Sequence, residues 1–145
     1  MAIISDAVTI ADAGAFSVNL GSLIHIKTLT ASSDSTLSFV DGSASVVLDD
    51  TYPIYVFKYI NMHPSENDSP NDFTVNFRDG GSAYDATKTS TFFWAYHTED
   101  DSSTTLGYSG SNDVAQATGT QPLTGNSGND NDQCAVGTLQ LFNPS

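Results

Sequence analysis

Residues 73–78 read FTVNFR. Phe73, Val75 and Phe77 alternate with Thr74, Asn76 and Arg78, a period of two that separates an apolar face from a polar one only if the chain is extended. Asp79-Gly80-Gly81 follows directly and turns the chain. This is the clearest periodicity in the sequence, and nowhere does it give way to a convincing amphipathic helix. The residue types agree: fifteen Asp stand against only Glu66 and Glu99, among many Ser, Thr, Gly and Asn, which favour turns over helices.

Other runs extend the pattern. In LIHIKTLT (23–30), Leu23, His25, Lys27 and Leu29 alternate with Ile24, Ile26 and Thr28, which predicts a strand at least half buried. SDSTLSFVDG (33–42) predicts a second, with Leu37 and Phe39 inward and Asp41-Gly42 as a hairpin turn. YPIYVFKYINMHP (52–64) places Tyr55, Phe57 and Tyr59 on one face and Ile54, Val56 and Ile60 on the other, which predicts a central strand covered on both sides between Pro53 and Pro64. STFFWAYHTEDD (90–101) gives Phe92, Trp94 and Tyr96 one face and Phe93, Ala95 and His97 the other. Rings on both faces are expected of a buried strand, with partial ligand contact as the lesser reading and Tyr96 and His97 nearest the surface. TTLGYSG predicts a short strand, and AVGTLQLFNPS a final one with Leu139 and Leu141 opposite Thr138, Gln140 and Phe142.

Seven or so strands predict an all-β fold, an antiparallel β-sandwich of jelly-roll type spanning residues 22–145. Residues 1–21 fit that core poorly and are expected to form an N-terminal docking arm, with Val8, Ile10, Phe16, Val18 and Leu20 as its apolar contacts. The finish at Asn143-Pro144-Ser145, immediately after a strand, suits a chain whose further strands lie beyond this sequence.

Chain length and charge narrow the function. A globule of 145 residues buries roughly two-thirds of its unfolded surface and needs no staples. Cys134, the only cysteine, excludes an internal disulfide framework. The start carries Asp6 and Asp12 without a basic flank, so no signal peptide is expected, and no apolar stretch approaches the roughly 20 residues of a membrane-spanning helix. Seventeen acids against Lys27, Lys58, Arg78 and Lys88 give a net charge of −13, which argues against nucleic-acid partners and membrane insertion.

Catalytic motifs fail on inspection. GYSGS (107–111) has Ser111 where a nucleophile elbow needs Gly, and no helix follows. With so many aspartates, a facing carboxylate pair of the kind glycoside hydrolysis needs arises by chance. The acidic loops SENDSPND, TEDD and GNDNDQ hold oxygen atoms at spacings calcium uses, but none has the EF-hand pattern, and solvated loops are the expectation. His25, His63 and His97 lie on separate segments. No enzyme activity, cofactor or metal is predicted. The loop at 119–133 is long enough to be functional, disordered or stabilised by a partner.

Four stretches, TASSDSTLSFVDG, DDTYPIYVFKYINMHPSENDSPNDFTVNFRDGGSAYD, TFFWAYHTED and GTLQLFNPS, carry a resemblance over about residues 22–145. An aromatic strand ending in N-x-H-P (Asn61, His63, Pro64), the F-x-V-x-F strand after it, and the terminal L-x-L-F-N-P resemble a family of β-rich virion proteins of marine tailed phages, described as tail-fibre or structural proteins. The resemblance implies no active-site residues. It implies a virion protein made in the host cytoplasm without a leader, a homo-oligomer with a trimer favoured, in contact with other virion proteins. The expected role is a tail-fibre or appendage subunit that meets a host glycan or protein through loops 65–72, 98–103 and 119–133, with Tyr96, His97, Asp100, Asp101, Asn126 and Asn129 as contacts. A capsid decoration protein is the alternative, and a non-catalytic carbohydrate-binding module the third reading.

Overall fold

The computed structural model describes residues 3–5, 8–12, 15–16, 23–67, 72–125 and 127–144, the first three segments by backbone alone. Strands are the only regular elements among them, so the protein is all-β: β1 (Ile3–Ser5), β2 (Val8–Asp12), β3 (Ala15–Phe16), β4 (Ile54–Met62), β5 (Thr74–Val75), β6 (Phe93–His97), β7 (Thr104–Tyr108), β8 (Gln121–Pro122) and β9 (Ala135–Phe142). They form small antiparallel sheets, β1-β2-β3 and the pairs β4-β9, β5-β8 and β6-β7. Among the described residues no helix is long and apolar enough to cross a membrane.

The chain divides into two compact units, residues 1–55 with 141–145, and residues 56–140. In the first, β1 and β2 pair with a register break between Ile3 and Ile4, and β3 joins through Ala11–Phe16 and Asp12–Ala15. The expected boundary of the arm at residues 21–22 lies outside the described residues. Among the described residues, Tyr55 and Val46 are the buried apolar side chains of this unit. Tyr55 keeps its phenol paired by donating to the Asp49 carbonyl at 3.1 Å and accepting the Asp49 amide at 3.3 Å, while Tyr52 meets its ring edge-on at 5.7 Å.

Residues 23–40 correct the first expectation, since neither LIHIKTLT nor the run to Val40 forms a strand. Leu23, Ile24 and Leu37 are exposed, and the half-buried Ile26 and Leu29 lie three residues apart, out of phase with a pleated face. Alternation prepares a strand but supplies no partner for its ladder. The Asp41-Gly42 turn does form, with the Ser43 amide donating to Val40 at 3.0 Å and Gly42 at φ 71°. A second turn follows at once, because Ala44 and Ser45 both take positive φ and the Val46 amide closes onto Ser43 at 2.9 Å. The chain is folded back by two consecutive turns, without the expected hairpin.

Strand β4 lies between Pro53 and Pro64 as expected, but it is covered on one side only. Tyr55, Phe57 and Tyr59 point inward, whereas Ile54, Val56 and Ile60 stay exposed, Ile60 at 71%. Alternation slips by one at Asn61, whose φ of 56° is left-handed. Opposite, Leu139 and Leu141 of β9 are half-buried and Thr138, Gln140 and Phe142 exposed, the split the sequence predicts. Gly137 matters in this pair, because a Cβ there would strike the Tyr59 phenol, which in turn packs on Phe73 at 5.0 Å.

The run with the clearest alternation gives the shortest of strands. Phe73, Val75 and Phe77 are half-buried, yet the ladder is limited to Thr74–Val75, paired with Gln121–Pro122. Asn76 ends it. Its Oδ1 accepts the Phe77 amide at 2.9 Å and its Nδ2 donates to the carbonyls of Tyr84 and Thr118, so the side chain takes over the backbone's partners.

Beyond it, residues 86–90 run beside 112–121 in a seam of hydrogen bonds. Lys88 and Ala117 exchange amides at 3.0 and 3.2 Å, and the Ser90 amide donates to the Val114 carbonyl at 2.8 Å. Ser90 Oγ accepts the Val114 amide at 2.9 Å and contacts Gln121 Oε1, while Gln121 Nε2 donates to the Asn112 carbonyl at 3.1 Å. Among the described residues, Val114 is the buried apolar residue of the second unit.

Candidate functional site

The seam leads directly into hairpin β6-β7. Ser109 donates its amide to the Phe92 carbonyl at 2.9 Å, and five register pairs follow, from Phe93–Tyr108 to His97–Thr104. Aromatic and β-branched residues suit these strands. Six residues connect them. Thr98 closes the loop, its amide donating to the Ser103 carbonyl at 2.9 Å and its hydroxyl accepting the Ser103 amide at 3.0 Å. The Asp101 amide returns to the Thr98 carbonyl at 2.9 Å, and Asp101 takes a left-handed φ of 56°, which aspartate tolerates better than most residues.

Cross-strand pairing sorts the side chains onto two faces. One carries Phe93, Ala95 and His97 with Tyr108, Leu106 and Thr104, all exposed, Phe93 at 69%, Leu106 at 75% and Tyr108 at 57%. On the other, Phe92, Trp94 and Tyr96 form a ladder of edge-to-face rings with centroids 5.8 and 5.3 Å apart. Opposite Trp94 is Gly107, and opposite Tyr96 is Thr105. A Cβ added at Gly107 would meet nothing within 4 Å, so the indole stands beside open space.

This corrects the core-strand expectation for STFFWAYHTEDD. None of its rings is buried; Phe92 and Trp94 are half-buried and edge-to-face, and Phe93 and Tyr96 are exposed. Rings on both faces need a layer on both faces, and among the described residues β6 pairs with β7 alone and its rings are left exposed or half-buried.

The tip is acidic and ordered by its own hydroxyls. Asp100 Oδ1 accepts from the Ser102 hydroxyl at 2.7 Å and the Ser102 amide at 3.1 Å. The Ser102 hydroxyl first, then the Thr98 hydroxyl, hold the Asp100 carboxyl at about 2, below the ordinary carboxylate value. At the other end, Tyr108 donates its phenol to Asp113 Oδ2, and that bond pushes its ionisation above the usual tyrosine value.

Four of the expected contacts, Tyr96, His97, Asp100 and Asp101, fall on this tip. Tyr96 is 44% exposed, and His97 Nδ1 donates to the Thr98 carbonyl at 3.1 Å. Asn129 is held elsewhere, by donation to the Ser65 carbonyl at 3.4 Å, and Gly128 sits against Gln133 and Asn67. The loops containing SENDSPND and GNDNDQ are thus tied together at 65–67 and 128–129. Asn126 lies outside the described residues, as do Val18 and Leu20 of the arm. Val8 and Ile10 belong to β2 and Phe16 to β3.

Sequence reasoning missed that Leu106 and Tyr108 share a face with Phe93, and that Gly107 shares the other face with Trp94. The signal was present in two strand-like runs separated by the turn-rich TEDDSS, which is the mark of a hairpin. Ser109, in the near-match to a nucleophile elbow, is buried with its Oγ 3.3 Å from Ser111 Oγ. Among the described residues no three His, Cys, Asp or Glu side chains gather as metal ligands would.

The molecule is therefore an all-β protein of small antiparallel sheets, carrying an exposed aromatic hairpin with an acidic tip. Compared with family models, with curated proteins and with solved structures, the chain matches none.

Proposed function

We propose that this chain is a virion structural protein of a tailed phage, an oligomeric tail-fibre or appendage subunit that takes part in attachment to the host surface. One observation carries the reading: among the described residues Val46, Tyr55 and Val114 are the buried apolar side chains, while strands β4, β6, β7 and β9 all present exposed large apolar residues. A two-stranded sheet is marginal on its own and gains stability from further strands or a covering layer. Copies of the chain and neighbouring virion proteins supply that cover, with a trimer favoured, and in the assembly the strand pairs become parts of a jelly-roll-like β-sandwich. Residues 1–21 dock the subunit, and the acidic tip at 98–103 meets the host. The role is one of binding and assembly, without catalysis, and the protein is made in the host cytoplasm.

The test is gold-labelled Fab imaging of intact particles, with copy number counted on the same particles. Label on the tail at tens of copies supports the appendage reading. Label spread over the head at hundreds of copies replaces it with a decoration protein, which the same exposed strand faces also suit.

A further inference from the structure

We propose that the ring-ladder face of hairpin β6-β7 binds an uncharged glycan chain, with sugar faces against Trp94 and Tyr96 and the chain running over the open shelf at Gly107. This rests on the attachment reading and names the ligand class of that site.

Shape is the first support. Register places the Trp94 and Tyr96 rings in one column and Gly107 and Thr105 in the other, so a tall aromatic wall borders a low floor. The floor is open, because an added Cβ at Gly107 meets no atom within 4 Å. A sugar ring is apolar on its faces and polar around its rim. It matches a wall of ring carbon with hydroxyls and carboxylates at its end, which here are Thr98, Asp100 and Ser102. An apolar protein partner would fit the opposite face better, where Phe93, Leu106 and Tyr108 offer broad exposed surface without a shelf.

Charge is the second support. Glu99, Asp100 and Asp101 line the tip, and no Lys or Arg occurs anywhere after Lys88. Polymers carrying carboxylate, sulfate or phosphate are repelled by these acids. An uncharged polysaccharide meets no such barrier, and its binding is insensitive to salt.

Trp94 is the only tryptophan, so its fluorescence reports on this site alone. The full chain is titrated with four uncharged polysaccharides, an α-glucan, a β-glucan, a galactan and a mannan, and with a polyuronate. The expected result is a blue shift and protection from quenching with at least one uncharged polymer, equal at low and high salt, and none with the polyuronate. Gly107→Val puts a side chain into the shelf where a Cβ meets no atom within 4 Å, and because Gly107 is not left-handed, a β-branched residue suits the strand. It is expected to weaken binding by about tenfold or more, a loss of about 1.4 kcal/mol. No shift with any uncharged polymer, full binding by the variant, or preference for the polyuronate overturns the inference. A parallel assay separates it from the attachment reading: if the purified protein still blocks particle adsorption to host cells while no polymer shifts Trp94, the glycan fails and attachment stands.

Discussion

The hydrogen-bonded seam and the hairpin that grows from it are adjacent in the chain, yet they are held by different means. In the seam, Ser90, Gln121, Asn112 and Val114 satisfy one another's polar groups around a buried valine. In the hairpin, the backbone ladder is complete, but Phe93 and Tyr96 of β6 and Leu106 and Tyr108 of β7 are exposed. A closed set of hydrogen bonds needs nothing further, whereas an apolar face in water gains by being covered. The seam is thus the frame, and the hairpin the part available for contact.

The largest test of this contrast is Val114→Asp, which puts an unpaired carboxylate into the seam. It should cost about 3 kcal/mol of stability, seen as an early midpoint in chemical denaturation. A loss no greater than that of a hairpin substitution would dissolve the distinction.

Ser90→Ala asks whether the seam's polar closure matters as well as its valine. Removing the hydroxyl leaves the Val114 amide without its acceptor and should cost about 1–2 kcal/mol, with faster hydrogen exchange at that amide.

On the hairpin, combining Phe93→Thr with Leu106→Thr should move stability by only about 0.5 kcal/mol, because both side chains are already in water. Binding of a hydrophobic dye should fall. If the double variant is as damaging as Ser90→Ala, that face is packed, and the hairpin is frame rather than contact surface.

The smallest effect is electrostatic. Ser102→Ala removes the main cause of the lowered Asp100 ionisation, so its carboxyl titration, followed by NMR, should rise from about 2 toward the ordinary carboxylate value. Since the folded value lies below the unfolded one, Asp100 favours folding above the unfolded value, and this contribution is lost as pH falls through about 2. The sign reverses at Tyr108: its raised ionisation favours folding below the ordinary tyrosine value, and the contribution fades as pH climbs through the folded one. Asp113→Asn should lower that upper transition, read from phenolate absorbance.

Much of the fold was legible because period-two patterns are local. The sequence located β4, β6, β7 and β9, and the inward sets Tyr55–Phe57–Tyr59 and Leu139–Leu141 follow directly from alternation. Legibility failed where partners decide. LIHIKTLT alternates as well as β4 does and pairs with nothing as a strand, and FTVNFR is cut short by the bonds Asn76 makes to Tyr84 and Thr118, the latter 42 residues away. The candidate site divides in the same way. Tyr96, His97, Asp100 and Asp101 could be read from one contiguous run, but the opposition of Gly107 to Trp94 required a register.

By itself, then, the sequence determined an all-β chain, its acidic surface and the alternation within its longer strands, since these depend on residue type and on spacing along the backbone. Only the tertiary structure decided which strands found partners, which rings stayed in water and where a glycine opened space beside the tryptophan. Those outcomes depend on long-range pairing and on whether a covering layer exists, and neither is encoded in any single segment.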